Sequence, residues 1–83
     1  MAKPRYIPKR RLDRNECGRM VARLRTQQGL TQQDLAGRLA RVRLLVSQYV
    51  IKRIESGERE VTDKEVKLLA KALRVKVDVL LGT

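Results

Sequence analysis

From residue 14 onward the apolar positions recur at helical spacing. Cys17, Val21 and Leu24 fall at i, i+4 and i+7 with Met20 beside them, while Arg19, Arg23 and Arg25 lie off that stripe. Gly29 follows as a C-terminal cap, so the spacing predicts a first helix over about 14–28. Thr31 then offers an N-cap, with Asp34 three residues later as the return partner of a weak capping box. Leu35, Ala36 and Leu39 form the buried face of a second helix, whose end no Gly or Pro marks between 38 and 46. Ser47 is the next cap. It opens a third helix over 47–56 in which Ile51 and Ile54 face inward, the other face is polar and cationic, and Gly57 stops the run. The stretch Thr62-Asp63-Lys64-Glu65 is a full capping box for a fourth helix, carried by Val66, Leu69, Ala70 and Leu73 at i, i+3, i+4 and i+7. Val75, Val77, Val79, Leu80 and Leu81 close the pattern before Gly82 and predict a last helical turn near 77–81. No hairpin signal appears, and the pattern as a whole is that of an all-α domain with one modest core.

The beginning of the chain breaks this pattern. Pro4 and Pro8 deny it a stable helix, and Lys3, Arg5, Lys9, Arg10, Arg11 and Arg14 are opposed by Asp13 alone. Residues 1–13 therefore separate as a flexible basic arm from a domain over 14–83. Two readings of the arm stand side by side: a solubilising tail, or a DNA-contacting arm in which Arg5, Lys9, Arg10 and Arg11 follow phosphates. Over all 83 residues, 20 Lys+Arg stand against 9 Asp+Glu, a net charge of +11, and nine of those cations lie within residues 1–28 against two acids. Such an excess on a chain this small points to a polyanion as partner.

Composition removes other functions. There is no His and only one Cys, which leaves no Cys/His set for a zinc finger, no disulfide pair and no His-dependent triad. Carboxylates are scattered, and no Gly-rich loop could cradle a phosphate, so neither an enzyme nor a cofactor or metal is expected. Cys17 sits on the packed stripe and reads as core, not nucleophile; as a lone Cys it fits a reducing compartment. No apolar run is long enough to cross a bilayer, no signal-peptide core follows the basic start, and a membrane-surface helix lacks its aromatics.

The order of spaced residues carries a resemblance. Arg25-x-x-x-Gly29-Leu30-Thr31-Gln32-x-x-Leu35-Ala36-x-x-Leu39, followed by Ser47-x-x-x-Ile51-x-x-Ile54-Glu55-x-Gly57, resembles the helix-turn-helix of the phage-repressor and Cro (Xre) family, and residues 68–82 resemble its last two helices. The match runs over 14–82. It implies a small five-helix, lambda-repressor-like DNA-binding domain, cytoplasmic and nucleoid-associated, of bacterial or phage type. Ala36 would be small because the third helix crosses the second closely there. The resemblance also implies a structural ion pair between Arg25 and Glu55. Gln32 and Thr31 would meet phosphate at the start of the second helix, though an exposed helix-start Gln needs no such partner. Gln48, Tyr49 and Arg53 would reach bases in the major groove: Gln suits the adenine edge, Arg the guanine edge, and Tyr49 a thymine methyl or a phosphate. Lys52 is read equally as a phosphate contact or a solvated charge.

One departure stands out. The stretch from Ala36 to Ile51 is about five residues longer than in the resembled motif, roughly 1.4 helical turns. The extra length lies within Arg38–Val46. A longer second helix would absorb it, with Val42 and Leu44 or Leu45 continuing the apolar face. Arg38, Arg41 and Arg43 would then lie along the DNA phosphates.

The expected function is a sequence-specific, double-stranded DNA-binding transcriptional regulator, a repressor acting as a homodimer on a pseudo-palindromic site. Val77–Leu81 either self-associates or simply closes the monomer core. The alternatives are an antitoxin or other protein-interaction partner on the same fold, and a non-specific nucleic-acid binder. With only Tyr6 and Tyr49 as aromatics, single-strand recognition by stacking is disfavoured.

Overall fold

A computed structural model describes residues 14–81, which form five helices: α1 (Arg14–Gln27), α2 (Gln32–Arg41), α3 (Gln48–Ser56), α4 (Asp63–Leu73) and α5 (Val77–Leu81). The arm over 1–13, with Arg5, Lys9, Arg10 and Arg11, lies outside the described residues. Among those described, no helix is long and apolar enough to cross a membrane.

α2, α3 and α4 each begin where a side chain satisfies a free N–H group. The Thr31 hydroxyl accepts from the Asp34 N–H at 2.9 Å and Asp34 Oδ2 accepts from the Thr31 N–H at 2.9 Å. Thr62 and Glu65 repeat this reciprocal box at the start of α4, both bonds being 3.1 Å. Ser47 caps α3 by accepting from the Val50 N–H at 3.3 Å.

The ends of α1, α2, α3 and α4 share one geometry on different residues. After α1 and α3 the chain turns through Gly29 (φ 72°) and Gly57 (φ 84°), the left-handed conformation glycine adopts freely. After α2 and α4 the same position is filled by Arg43 (φ 69°) and Arg74 (φ 60°). The Arg43 N–H donates to the Ala40 carbonyl at 3.0 Å and the Leu44 N–H to Leu39 at 2.9 Å, the paired bonds of a Schellman ending.

That ending corrects the expectation of a lengthened second helix. α2 stops at Arg41, and the additional residues form an ordered connection from Val42 to Ser47. Half-buried Val42, Leu44 and Val46 pin the connection to the core, so its backbone bonds and alternate side chains favour the turn over another helical turn.

The core gathers Cys17 and Val21 of α1, Leu35 and Leu39 of α2, Ile51 and Ile54 of α3, a face of α4 including Leu69 and Leu73, and Leu80 and Leu81 of α5. Leu80 and Leu81 are thus spent within the monomer; of the C-terminal apolar run only Val79, 39% exposed, faces solvent appreciably. α3 packs closely on α1 at Gly18, where an added Cβ would lie 2.0 Å from the Ile54 carbonyl oxygen. Gly18 therefore sets the depth at which α3 is seated, a closer approach than any expected at Ala36, which is half-buried beside the core.

Candidate nucleic-acid interface

α3 is short and needs outside support to hold one orientation. Two kinds are present. Ile51 and Ile54 are buried on its inner face, and its C-terminal end is gripped through Glu55. Arg25 Nε donates to Glu55 Oε2 at 2.7 Å and its NH2 group to Oε1 at 3.1 Å, a two-bond fork between α1 and α3. A third donor reaches the same carboxylate: Gln32 Nε2, at the first position of α2, lies 3.0 Å from Oε1. Arg25 NH1 meanwhile donates to the Leu30 carbonyl at 2.7 Å. The two charged side chains retain 17% and 8% of their exposure, and the hydrogen bond to Glu55 raises the pKa of Arg25 above its ordinary value. α1, α2 and α3 are thereby tied together at one carboxylate, and the loop after α1 is tied to the same arginine.

The other face of α3 is left open. Gln48 and Lys52 are exposed, and Tyr49 is 64% exposed. Arg53 lies with its guanidinium 5.8 Å from the Tyr49 ring centre and its Nε 3.6 Å from Glu58. The exposed Arg53–Glu58 pair is weak enough to be exchanged for a stronger anion, while the ring keeps Arg53 beside Tyr49. An open groove of about 550 Å3 joins the starts of α2 and α3, lined by Arg25, Thr31, Gln32, Gln33 and Gln48. Thr31, Gln32 and Gln48 thus share one surface, although they come from two helices.

The arginines around the connection divide. Arg41 and Arg43 are exposed and make no salt bridge with any described residue. Arg38 is placed elsewhere: its NH1 donates to the Ala72 carbonyl at 3.1 Å and to Gln28 Oε1 at 3.2 Å. Gln28 Nε2 in turn donates to the Leu73 carbonyl at 2.7 Å. These side chains cap the end of α4, where the carbonyls and helix dipole favour a cation. Arg38 is therefore engaged as a scaffold residue that joins α2 to α4.

Sequence reasoning missed several of these residues. Gly18 carried a readable signal, a glycine in the middle of an apolar helical stripe. Arg59, whose NH1 and NH2 bond Glu65 Oε1 and Oε2 at 3.1 and 2.8 Å, carried none, because the pair spans a turn with no fixed period. This fork is the largest cause of Glu65 being held below its ordinary carboxylate pKa. The Gln28–Arg38 cap depends wholly on how α4 lies against α1 and α2.

With the geometry in place, comparison with known proteins gives the class. The helix-turn-helix family HTH_3 matches residues 21–80, and the chain belongs to that family. Among solved structures it is similar to the restriction-modification controller protein C.AhdI from Aeromonas hydrophila, with 28% identity and a TM-score of 0.72 over 82% of this chain and 91% of that one. It is similar also to the clp gene regulator ClgR from C. glutamicum (28% identity, TM-score 0.72, 83% of each chain). A third is the BldD DNA-binding domain of S. venezulae, with 29% identity and a TM-score of 0.70 over 83% of this chain and 96% of that one. No curated protein sequence matches significantly.

Proposed function

We propose that this chain is a double-stranded DNA-binding transcriptional regulator that reads sequence by placing the leading end of α3 in the major groove and represses by occluding the promoter. One observation carries the reading: α3 is locked from behind by the Arg25–Glu55–Gln32 cluster while Gln48, Tyr49, Lys52 and Arg53 of the same helix stay on its open side. Fixing a helix so firmly while leaving polar and cationic residues unburied suits recognition of an extended polyanion.

In this reading Gln48 and Arg53 hydrogen-bond base edges, and Tyr49 orients Arg53 through its ring. Lys52, Arg41, Arg43 and the start of α2 at Thr31 and Gln32 hold phosphates. The similarity to a gene regulator and to a DNA-binding domain supports the assignment. The test is fluorescence anisotropy across a salt series, with duplex from upstream of the chain's own gene and with the best duplex enriched from a random pool, each against a scrambled control. A preference of about a thousandfold near physiological salt is expected. Equal and steeply salt-dependent binding to every duplex would reduce the function to charge-driven association. No binding at all would favour a protein partner.

Arg53→Ala separates the two kinds of contact. It should weaken the preferred duplex by more than it weakens scrambled DNA, by about tenfold or more for a lost base contact. An equal loss on both would make Arg53 a phosphate contact.

A further inference from the structure

We infer that Leu45, at the tip of the connection between α2 and α3, is a base-reading residue that meets the 5-methyl groups of thymines in the major groove. The inference rests on the DNA-binding reading above and extends it to the inserted segment.

Leu45 is 83% exposed, the most exposed of the large apolar side chains described, while its neighbours Leu44 and Val46 pack against the core. The tip is not free to fold inward. On one side the Leu44 N–H is bonded to the Leu39 carbonyl at 2.9 Å; on the other, the Ser47 carbonyl accepts from Val50 and Ile51 at 3.0 and 3.2 Å. Leu45 is thus held in water two residues ahead of the Ser47 cap, at the leading end of α3, where Gln48 and Tyr49 are exposed as well.

Charge decides what covers it. Residues 35–54 contain no Asp or Glu but carry Arg38, Arg41, Arg43, Lys52 and Arg53. Arg41 and Arg43, four and two residues before the tip, are both exposed. Docking the same segment of a second copy here would bring like charges together, and one leucine and one tyrosine fall far short of the roughly 800 Å2 per partner of a stable interface. A DNA duplex supplies the opposite charge on its rails, and on its major-groove floor the thymine methyl is the apolar feature that an aliphatic side chain can recognise.

The experiment uses the full chain and its enriched duplex. Each thymine is replaced in turn by deoxyuridine, which removes only the methyl, and anisotropy is measured for the wild type and for Leu45→Ala. At one or two positions the wild type should lose about three- to tenfold in affinity, as expected for a buried methyl, and Leu45→Ala should bind the two duplexes equally. Leu45→Ala should melt with the wild type, since the side chain is exposed; Leu45→Ser serves as a second variant with the same expectation. Equal deoxyuridine penalties in wild type and both variants, no penalty anywhere, or an enriched site without thymine would overturn the assignment and leave DNA binding intact. Failure of the wild type to prefer its enriched duplex over the scrambled one would overturn both.

Discussion

The two ends of α3 are built in opposite ways. At its C-terminal end Glu55 accepts from Arg25 twice and from Gln32 once, and the helix lies so close to α1 that Gly18 leaves no room for a methyl group. At its N-terminal end a single serine caps the helix, and the side chains around it, from Arg43 and Leu45 through Gln48 and Tyr49, stand in water. A nine-residue helix has too little internal cooperativity to hold itself. The burial at one end is what lets the other be both exposed and ordered, so the anchoring contacts and the open polar face are separated along one short helix.

Substitutions at the closed end should break that arrangement first. Gly18→Ala forces a Cβ into the Ile54 backbone carbonyl, which can move only if α3 moves. We expect a loss of about 3 kcal/mol or more in urea unfolding, against a gain of only about 1 kcal/mol from helix propensity. An unchanged midpoint would show that α1 and α3 are not in close contact there.

Glu55→Ala comes next. It strands the Arg25 guanidinium and the Gln32 amide in a half-buried place, at a cost of about 2 kcal/mol, less than for a fully buried pair because water reaches Arg25. A melt within a degree of the wild type would remove the cluster from the account of stability.

The second fork makes a smaller, pH-dependent contribution. Arg59 and the Thr62 N–H hold Glu65 below its ordinary pKa, so the proton binds the unfolded chain more readily than the folded one. Stability from this group is therefore full above its unfolded value, about 4.3, and is lost as pH falls through the lower folded value. Thermal melts from pH 7 down to about pH 3 should show a shallower decline in Glu65→Gln than in the wild type. Parallel curves would assign the acid sensitivity to other carboxylates, of which capping Asp34, also held below its ordinary pKa chiefly by its bond to the Thr31 backbone, is one.

The smallest effect sharpens the contrast most. Arg43 holds a left-handed backbone that costs a side-chain-bearing residue about 1 kcal/mol or more relative to glycine, part of which the greater freedom of unfolded glycine offsets. Arg43→Gly should raise stability by about 0.5 kcal/mol and, if Arg43 holds a phosphate, lower the salt slope of DNA binding by about 0.9. Arg74→Gly, at the matching turn after α4, should stabilise similarly and leave that slope alone. Equal effects of the two on binding would sink the idea that the open end meets the DNA.

The helices themselves were legible in the chain because each is announced locally. Thr31, Ser47 and Thr62 fit their caps by the chemistry of one hydroxyl, Gly29 and Gly57 fit their turns by lacking a Cβ, and Ile51 and Ile54 declare a buried face by spacing alone. The inserted segment was not legible. Arg38–Val46 has good helix formers and a plausible apolar stripe, and only the packing of Val42, Leu44 and Val46 on the finished core made a turn at Arg43 better than another helical turn. Arg38 illustrates the same limit: its composition suits a phosphate, but the end of α4 comes to lie beside it and supplies the Ala72 carbonyl. Local sequence thus determined the number of helices, their starting points and the basic character of the chain, since propensity, capping and charge act within a few residues. Tertiary structure decided where the second helix stops, which arginines remain exposed and that Leu45 stays in water, because those outcomes depend on groups brought together from distant parts of the chain.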